Sequence, residues 1–301
     1  MEKVREKVMT RIGAIEGGGT KFVVAVGTPD GQVGETETFP TTTPEETMDR
    51  TVQFFKDKGV DAIGFGSFGP VDLNPASATY GHIAKTPKPH WSGYDVVGHL
   101  KRHINVPIGF DTDVNGAALG EATYGAAKGL SSCLYITVGT GIGAGAVVEG
   151  KLVHGLTHPE MGHIFVKRHP EDTYAGKCPY HQDCLEGLAA GPAIEARWGV
   201  KAYELGEDHK AWEFQTYYLA QALMNYILTM SPEKIILGGG VSKQLHLFPR
   251  IREEVKRLLN GYVQHPAVLD TDSGYIVPPG LEDRAGITGA LALGMQALKQ
   301  Q

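Results

Sequence analysis

Cysteine is scarce, with 3 thiols in 301 residues. Three thiols, two of them close together at Cys178 and Cys184, do not make a disulfide framework, and a reducing cytoplasm is the expected compartment. Positive charge is in deficit as well. With 28 Lys and Arg against 34 Asp and Glu, the net charge of -6 argues against the basic face that nonspecific nucleic-acid binding needs. Long apolar runs are missing: none approaches the roughly 18–20 residues of a membrane span. Residues 1–11 are charged and lack the apolar stretch of a secretory leader, so a loose extension before the first strand is expected there. The remainder, 42% hydrophobic and 21% charged, is ordinary for a globular protein, and its length suits two lobes better than one core.

Glycine, in contrast, is abundant and clustered. The 40 glycines point to ligand contacts made through bare backbone rather than to low complexity. Residues 12–16 and 22–26 read as two strands joined by Gly17-Gly18-Gly19-Thr20-Lys21. The theme restarts later, with a strand at 133–138, a tight turn at 139–143 and a second strand at 144–148, a weak internal repeat. Hairpin geometry alone accounts for one such turn. Two of them, each with a threonine beside the glycines, make nests of N–H groups and a hydroxyl suited to phosphate oxygens. Lys21 adds charge to the first. Residues 234–237 form a strand running into Gly238, Gly239 and Gly240, a turn against which a nucleotide can lie flat. Other nucleotide motifs fail. There is no Gly-Lys-Ser/Thr, and the glycines of 139–145 lead into a strand rather than a helix.

Between these turns, residues 33–39 and 62–66 read as strands and 44–58 as a helix with Met48, Val52 and Phe55 on its apolar face. Residues 74–91 form a long loop, and loops of that length are commonly functional or disordered. Trp212, Phe214, Tyr218, Leu219, Ala222, Leu223 and Tyr226 give a helix with a broad apolar face. Residues 251–259 form an amphipathic helix, and 286–298 a small-residue helix that crosses back to the first lobe.

The stretch Asp111-Thr112-Asp113-Val114-Asn115 follows the apolar segment 108–110 and opens a helix. Either carboxylate can serve as an N-cap. A carboxylate just past a strand end is also where α/β proteins place a general base.

Cys178, His181 and Cys184 lie at x2 spacing, and His163 can complete a tetrahedral Cys2His2 zinc site. Four protein ligands make such a zinc structural. His154, His158, His169 and Cys133 lack the spacing. Glu160 and Glu186 flank the metal loop, and a histidine ligated through one ring nitrogen keeps the other for a hydroxyl. Two carboxylates and an imidazole suit a polyhydroxyl substrate.

Taken in order from about residue 12 to 295, these motifs resemble the ROK family of sugar kinases. Residues 67–72 and 80–91 are similar to its bacterial fructokinase branch. The resemblance implies an α/β, two-lobed hexokinase/actin-like ATPase (ribonuclease H-like) fold. Residues 1–116 plus about 285–301 would form the smaller N-terminal lobe, and 117–284 the larger C-terminal lobe with the zinc-binding loop. It implies an ATP-dependent kinase acting on the 6-hydroxyl of D-fructose, with Asp113 as general base. Gly18, Gly19, Thr20, Lys21, Gly139, Thr140 and Gly141 would hold the phosphates of Mg-ATP, and Gly238, Gly239 and Gly240 would lie beside the adenosine. Glu160, His163, Glu186 and Gly81 join Asp113 as sugar contacts; His163, Cys178, His181 and Cys184 hold structural zinc. The expected partners are a hexose, ATP and a second copy in a homodimer, with no nucleic acid or membrane. Three departures stand out. Glu16 replaces the family's usual Asp, Thr112 its usual Asn, and Cys-x2-His-x2-Cys its usual metal pattern. Mannose or glucose as main substrate is the alternative within enzymes. A sugar-sensing repressor is the alternative outside them, against which stands the stretch of about a dozen residues before the first strand, too short for a helix-turn-helix domain.

Overall fold

The computed structural model describes residues 10–300, so the extension expected at the N-terminus falls, up to residue 9, outside the described residues. The chain divides into two compact units. The first holds the chain up to Tyr124, the short segment His154–His158 and the chain from Asp283 on; the second holds Gly125–Val153 and Pro159–Glu282.

In the first unit, β1 (Ile12–Gly17), β2 (Lys21–Gly27) and β3 (Val33–Pro40) form an antiparallel meander. Helix α1 (Pro44–Phe55) starts where Thr43 accepts the amide of Glu46, with Glu45 and Glu46 complementing the helix dipole. Strand β4 (Ala62–Ser67) runs parallel to β1 and is followed by α2 (Val96–His103). Asp95 caps α2 by accepting the amide of Gly98 at 2.6 Å, and Lys101 and Arg102 sit in its last turn. Strand β5 (Ile108–Thr112) pairs parallel to β4 and leads directly into α3 (Asp113–Tyr124). The long loop expected at 74–91 ends on a core residue: Trp91 is fully buried and donates its indole N–H to the oxygen of Thr42 at 2.9 Å.

The second unit repeats this plan. Strands β6 (Cys133–Val138), β7 (Ile142–Val148) and β8 (Lys151–Leu152) form the meander. Helices α4 (Leu185–Ala189), α5 (Gly191–Trp198) and α6 (Ala211–Met230) come next. Then follow β9 (Ile235–Gly238), α7 (Leu247–Leu259), α8 (Pro266–Leu269) and β10 (Ile276–Val277). Among the described residues the two sheets run β3-β2-β1-β4-β5 and β8-β7-β6-β9-β10, so the weak repeat seen in the sequence is a repeat of topology. The apolar face of α6 is buried within its own unit, against β6, β7 and α7 residues of one core. No described helix is long and apolar enough to cross a membrane.

Helix α9 (Ala285–Lys299) belongs to the first unit, where it packs on β1 and β4 and against α3. Glycines set these approaches. A Cβ on Gly64 would lie 1.8 Å from the oxygen of Ala290, and one on Gly289 would lie 1.9 Å from the oxygen of Gly116. That explains why α3 and α9 read as small-residue helices rather than amphipathic ones.

Candidate active site

The first unit carries its candidate residues at the carboxyl ends of parallel strands. Gly17 of β1 pairs with Ser67 of β4, and Ser67 with Thr112 of β5, so the three strands end level. From that edge emerge the turn 18–20, the turn after Ser67 and Asp113, an arrangement typical of ligand sites in α/β sheets. In the first turn, Gly18 donates to the oxygen of Lys21 at 3.0 Å, and the hydroxyl of Thr41 donates to the oxygen of Gly18 at 2.6 Å. Gly19 and Thr20 are exposed. Behind the turn, the Glu16 carboxyl lies against Gly286 at the start of α9. Burial raises its pKa, opposed by the charge of Lys21 and the amide of Ile287.

Asp113 is half-buried at the start of α3, and Gly66 leaves room for it: a Cβ there would sit 3.4 Å from the Cα of Asp113. The capping role expected of Asp111 or Asp113 falls to Thr112, whose hydroxyl accepts the amide of Asn115 at 3.1 Å. Asp113 accepts the amide next to it, Val114, at 2.8 Å. Asp111 is buried and accepts from Thr112 N (2.8 Å), Asn115 Nδ2 (2.7 Å) and His154 Nε2 (2.7 Å). His158 Nε2 accepts the amide of Val71 at 3.1 Å. These two histidines bring the segment His154–His158 onto the strand ends. Nothing in their spacing announced it, because their partners are distant in the chain. Gly81 has φ +84°, and its oxygen accepts the amides of Val96 and Val97, so its visible role is to shape the entry to α2.

In the second unit the two glycine turns adjoin. Gly239, with φ +87°, would drive a Cβ to 2.5 Å from the backbone of Val138, and the Cβ position of Gly139 lies 3.9 Å from the nitrogen of Gly240. The oxygen of Gly139 also accepts the amide of Gly191 at the start of α5. Glu186, early in α4, accepts the amide of Ile142 through Oε2 at 2.8 Å. Glu160 precedes the 3-10 turn Met161–His163, which packs against β7. One ligand atom from each of His163, Cys178, His181 and Cys184 lies within 4.8 Å of the others. Nδ1 of His163 is 3.5 Å from the Cys184 sulfur and 3.6 Å from that of Cys178; Nδ1 of His181 is 3.7 Å from Cys178. A tetrahedral ion about 2.3 Å from sulfur and about 2.0 Å from nitrogen requires S–N separations of about 3.5 Å, so the donor set fits zinc. Burial pushes the Cys184 thiol up to about 11, a cost that a divalent cation would reverse. The ring of His163 turns Nδ1 to this cluster.

The strand-end carboxylate, the repeated sheet topology and the paired glycine turns define a class. The chain belongs to the ROK family, whose model matches residues 12–297. It is 55% identical to a putative fructokinase of Bacillus subtilis, over 96% of this chain and 97% of that protein. It is 48% identical to the fructokinase of Pediococcus pentosaceus, over 96% and 99% respectively. A ROK hexokinase from Thermus thermophilus superposes with a TM-score of 0.79 at 26% identity, covering 97% of this chain and all of that one. These likenesses match the expected hexokinase/actin-like ATPase fold.

Proposed function

We propose that this chain is an ATP-dependent fructokinase that transfers the γ-phosphoryl group of Mg-ATP to the 6-hydroxyl of D-fructose. What carries the reading is nearly full-length identity of 55% and 48% to proteins named as fructokinases, together with Asp113 at the level ends of β1, β4 and β5. Phosphoryl transfer is mostly positioning and charge neutralisation, so the residues needed are few. Asp113 orients the hydroxyl and takes its proton. In the first unit, Gly18, Gly19, Thr20 and Lys21 contact phosphate oxygens. In the second, Gly139, Thr140 and Gly141 do the same through backbone amides, and Gly238, Gly239 and Gly240 lie against the nucleoside. Glu160, His163 and Glu186 bind sugar hydroxyls, His163 through the ring nitrogen left over from the metal cluster. Zinc held by His163, Cys178, His181 and Cys184 is structural, fixing the loop from which Glu186 follows two residues after Cys184. Reduced thiols and a cytoplasmic location go with that cluster. The family resemblance also carries a homodimer, formed through a surface other than the buried face of α6.

The test is ADP release by the purified protein with Mg-ATP and fructose, mannose or glucose in turn. Fructose is expected to give the highest kcat/KM by at least about tenfold, a difference of about 1.4 kcal/mol. Equal rates on glucose would shift the assignment to a general hexokinase, and no turnover on any hexose would remove the kinase reading.

A further inference from the structure

The chain leaves the second unit after Val153, contributes five residues to the first, and re-enters the second at Pro159. The first of those five, His154, ends on a carboxylate two residues before Asp113. Its Nε2 lies 2.7 Å from Asp111 Oδ2, while Oδ1 of the same carboxylate takes the amide of Thr112 and the side-chain amide of Asn115. The Asp111 side chain is 5% exposed and that of His154 41%. Both oxygens of a buried carboxylate are therefore engaged, one of them by an imidazole from a remote segment.

We propose that His154 is a positioning residue for catalysis: by pairing with Asp111 it fixes the β5–α3 turn and so the direction in which Asp113 presents its carboxylate. This rests on Asp113 being the general base. Asp113 is the first residue of α3, so its backbone direction follows the turn formed by Asp111 and Thr112. That turn is held from the α3 side by the Thr112 cap and by Asn115, both local. Among the described residues, β4 and α9 pack on it without polar contact to Asp111 Oδ2; His154 adds a side-chain restraint from a remote segment, and without it Asp111 Oδ2 loses its imidazole partner. Small shifts of a base matter, since a displacement of about 1 Å can cost about a hundredfold in rate.

The pair also has a charge state. The hydrogen bond to Asp111 raises the pKa of His154, and the charge of Asp111 adds to this against partial burial. The imidazolium form is thus favoured in the folded protein, and the ion pair is present below the raised value and weakens as pH rises through it. Tyr80 feels the charge of Asp111, and Asp72, His82 and Lys85 line the same cavity of about 1170 Å³ as His154.

The test compares wild type with His154→Gln, His154→Ala and Asp111→Asn, in kcat and KM for fructose and ATP across pH 6–9, with melting curves alongside. His154→Ala is expected to lower kcat by about ten- to hundredfold with both KM values within about twofold, at temperatures where it is folded. Wild-type kcat is expected to fall on the alkaline side as His154 loses its proton, and His154→Gln, which keeps a neutral donor, should recover part of the Ala loss and show no such fall. Where His154→Ala does not fold, the near-isosteric Gln variant carries the comparison. Wild-type kcat in the folded His154→Gln and His154→Ala proteins, or an alkaline limb unchanged in His154→Gln, overturns the proposal and leaves the kinase reading intact. Asp113→Asn run in parallel separates the two, because turnover retained in that variant removes the base itself and this inference with it.

Discussion

Glu186 Oε2 accepts the amide of Ile142 at 2.8 Å, tying the helix that follows the Cys178–Cys184 loop to the glycine turn 139–141. A Cβ on Gly141 would stand 2.7 Å from that same oxygen. Gly141→Ala is therefore expected to push the carboxylate aside and disturb the turn together, raising KM for both fructose and ATP by about tenfold. Steady-state kinetics with each substrate varied checks this. A change in neither KM would separate Glu186 from the turn.

Cys178 and Cys184 are buried; both sulfurs lie at zinc-compatible separations from His163, and that of Cys178 also from His181. If the proposed zinc is held there, Cys178→Ala or Cys184→Ala should contain less zinc than wild type by elemental analysis and bind fructose more weakly in calorimetry, because the proposed zinc loop carries His163 and leads into Glu186. Fructose affinity preserved in the zinc-free variant would break that link.

In the second unit Asp172 and Arg197 form an ion pair at 2.9 Å, with side-chain exposures of 1% and 7%, and the hydroxyl of Tyr218 donates to Asp172. Arg197→Met is expected to destabilise by about 3–5 kcal/mol, since it leaves a buried carboxylate without its cation. Burial pushes the Asp172 pKa up, but Tyr218, the amide of Tyr174 and Arg197 together hold it below the ordinary carboxylate value. A lowered folded-state pKa stabilises above the unfolded value of about 3.9 and loses that contribution as pH falls through the folded one. Urea midpoints of wild type and Asp172→Asn should therefore converge as pH drops from 6 to 3. A gap constant over that range would mean that ionisation of Asp172 contributes nothing.

Much of this was legible in the sequence because it is local. The strands around Gly18 and Gly141 announced a repeat, and the repeat is one of sheet topology. The Cys/His cluster needed only x2 spacing and one ligand from upstream. Boundaries were less legible. Strand β7 begins at Ile142 rather than Ala144, because Ile142 and Gly143 pair with Val138 and Thr137 across the hairpin. Helix α7 begins at Leu247, ahead of Pro249, a residue tolerated in a first helical turn where its missing N–H costs nothing. The contacts of His154 and His158 were not legible at all. They join residues 43 and 87 positions apart through single side chains, and no periodicity marks such a pair.

Asp113 is the residue on which fructose phosphorylation is expected to depend most. The measurement is turnover of fructose with Mg-ATP by wild type and Asp113→Asn, with the product identified by phosphorus NMR. Wild type is expected to yield fructose phosphorylated at C6, and Asp113→Asn to be slower in kcat by about a hundred- to ten-thousandfold, with its melting temperature retained. Near-wild-type turnover in Asp113→Asn, or phosphate at another carbon, would contradict it.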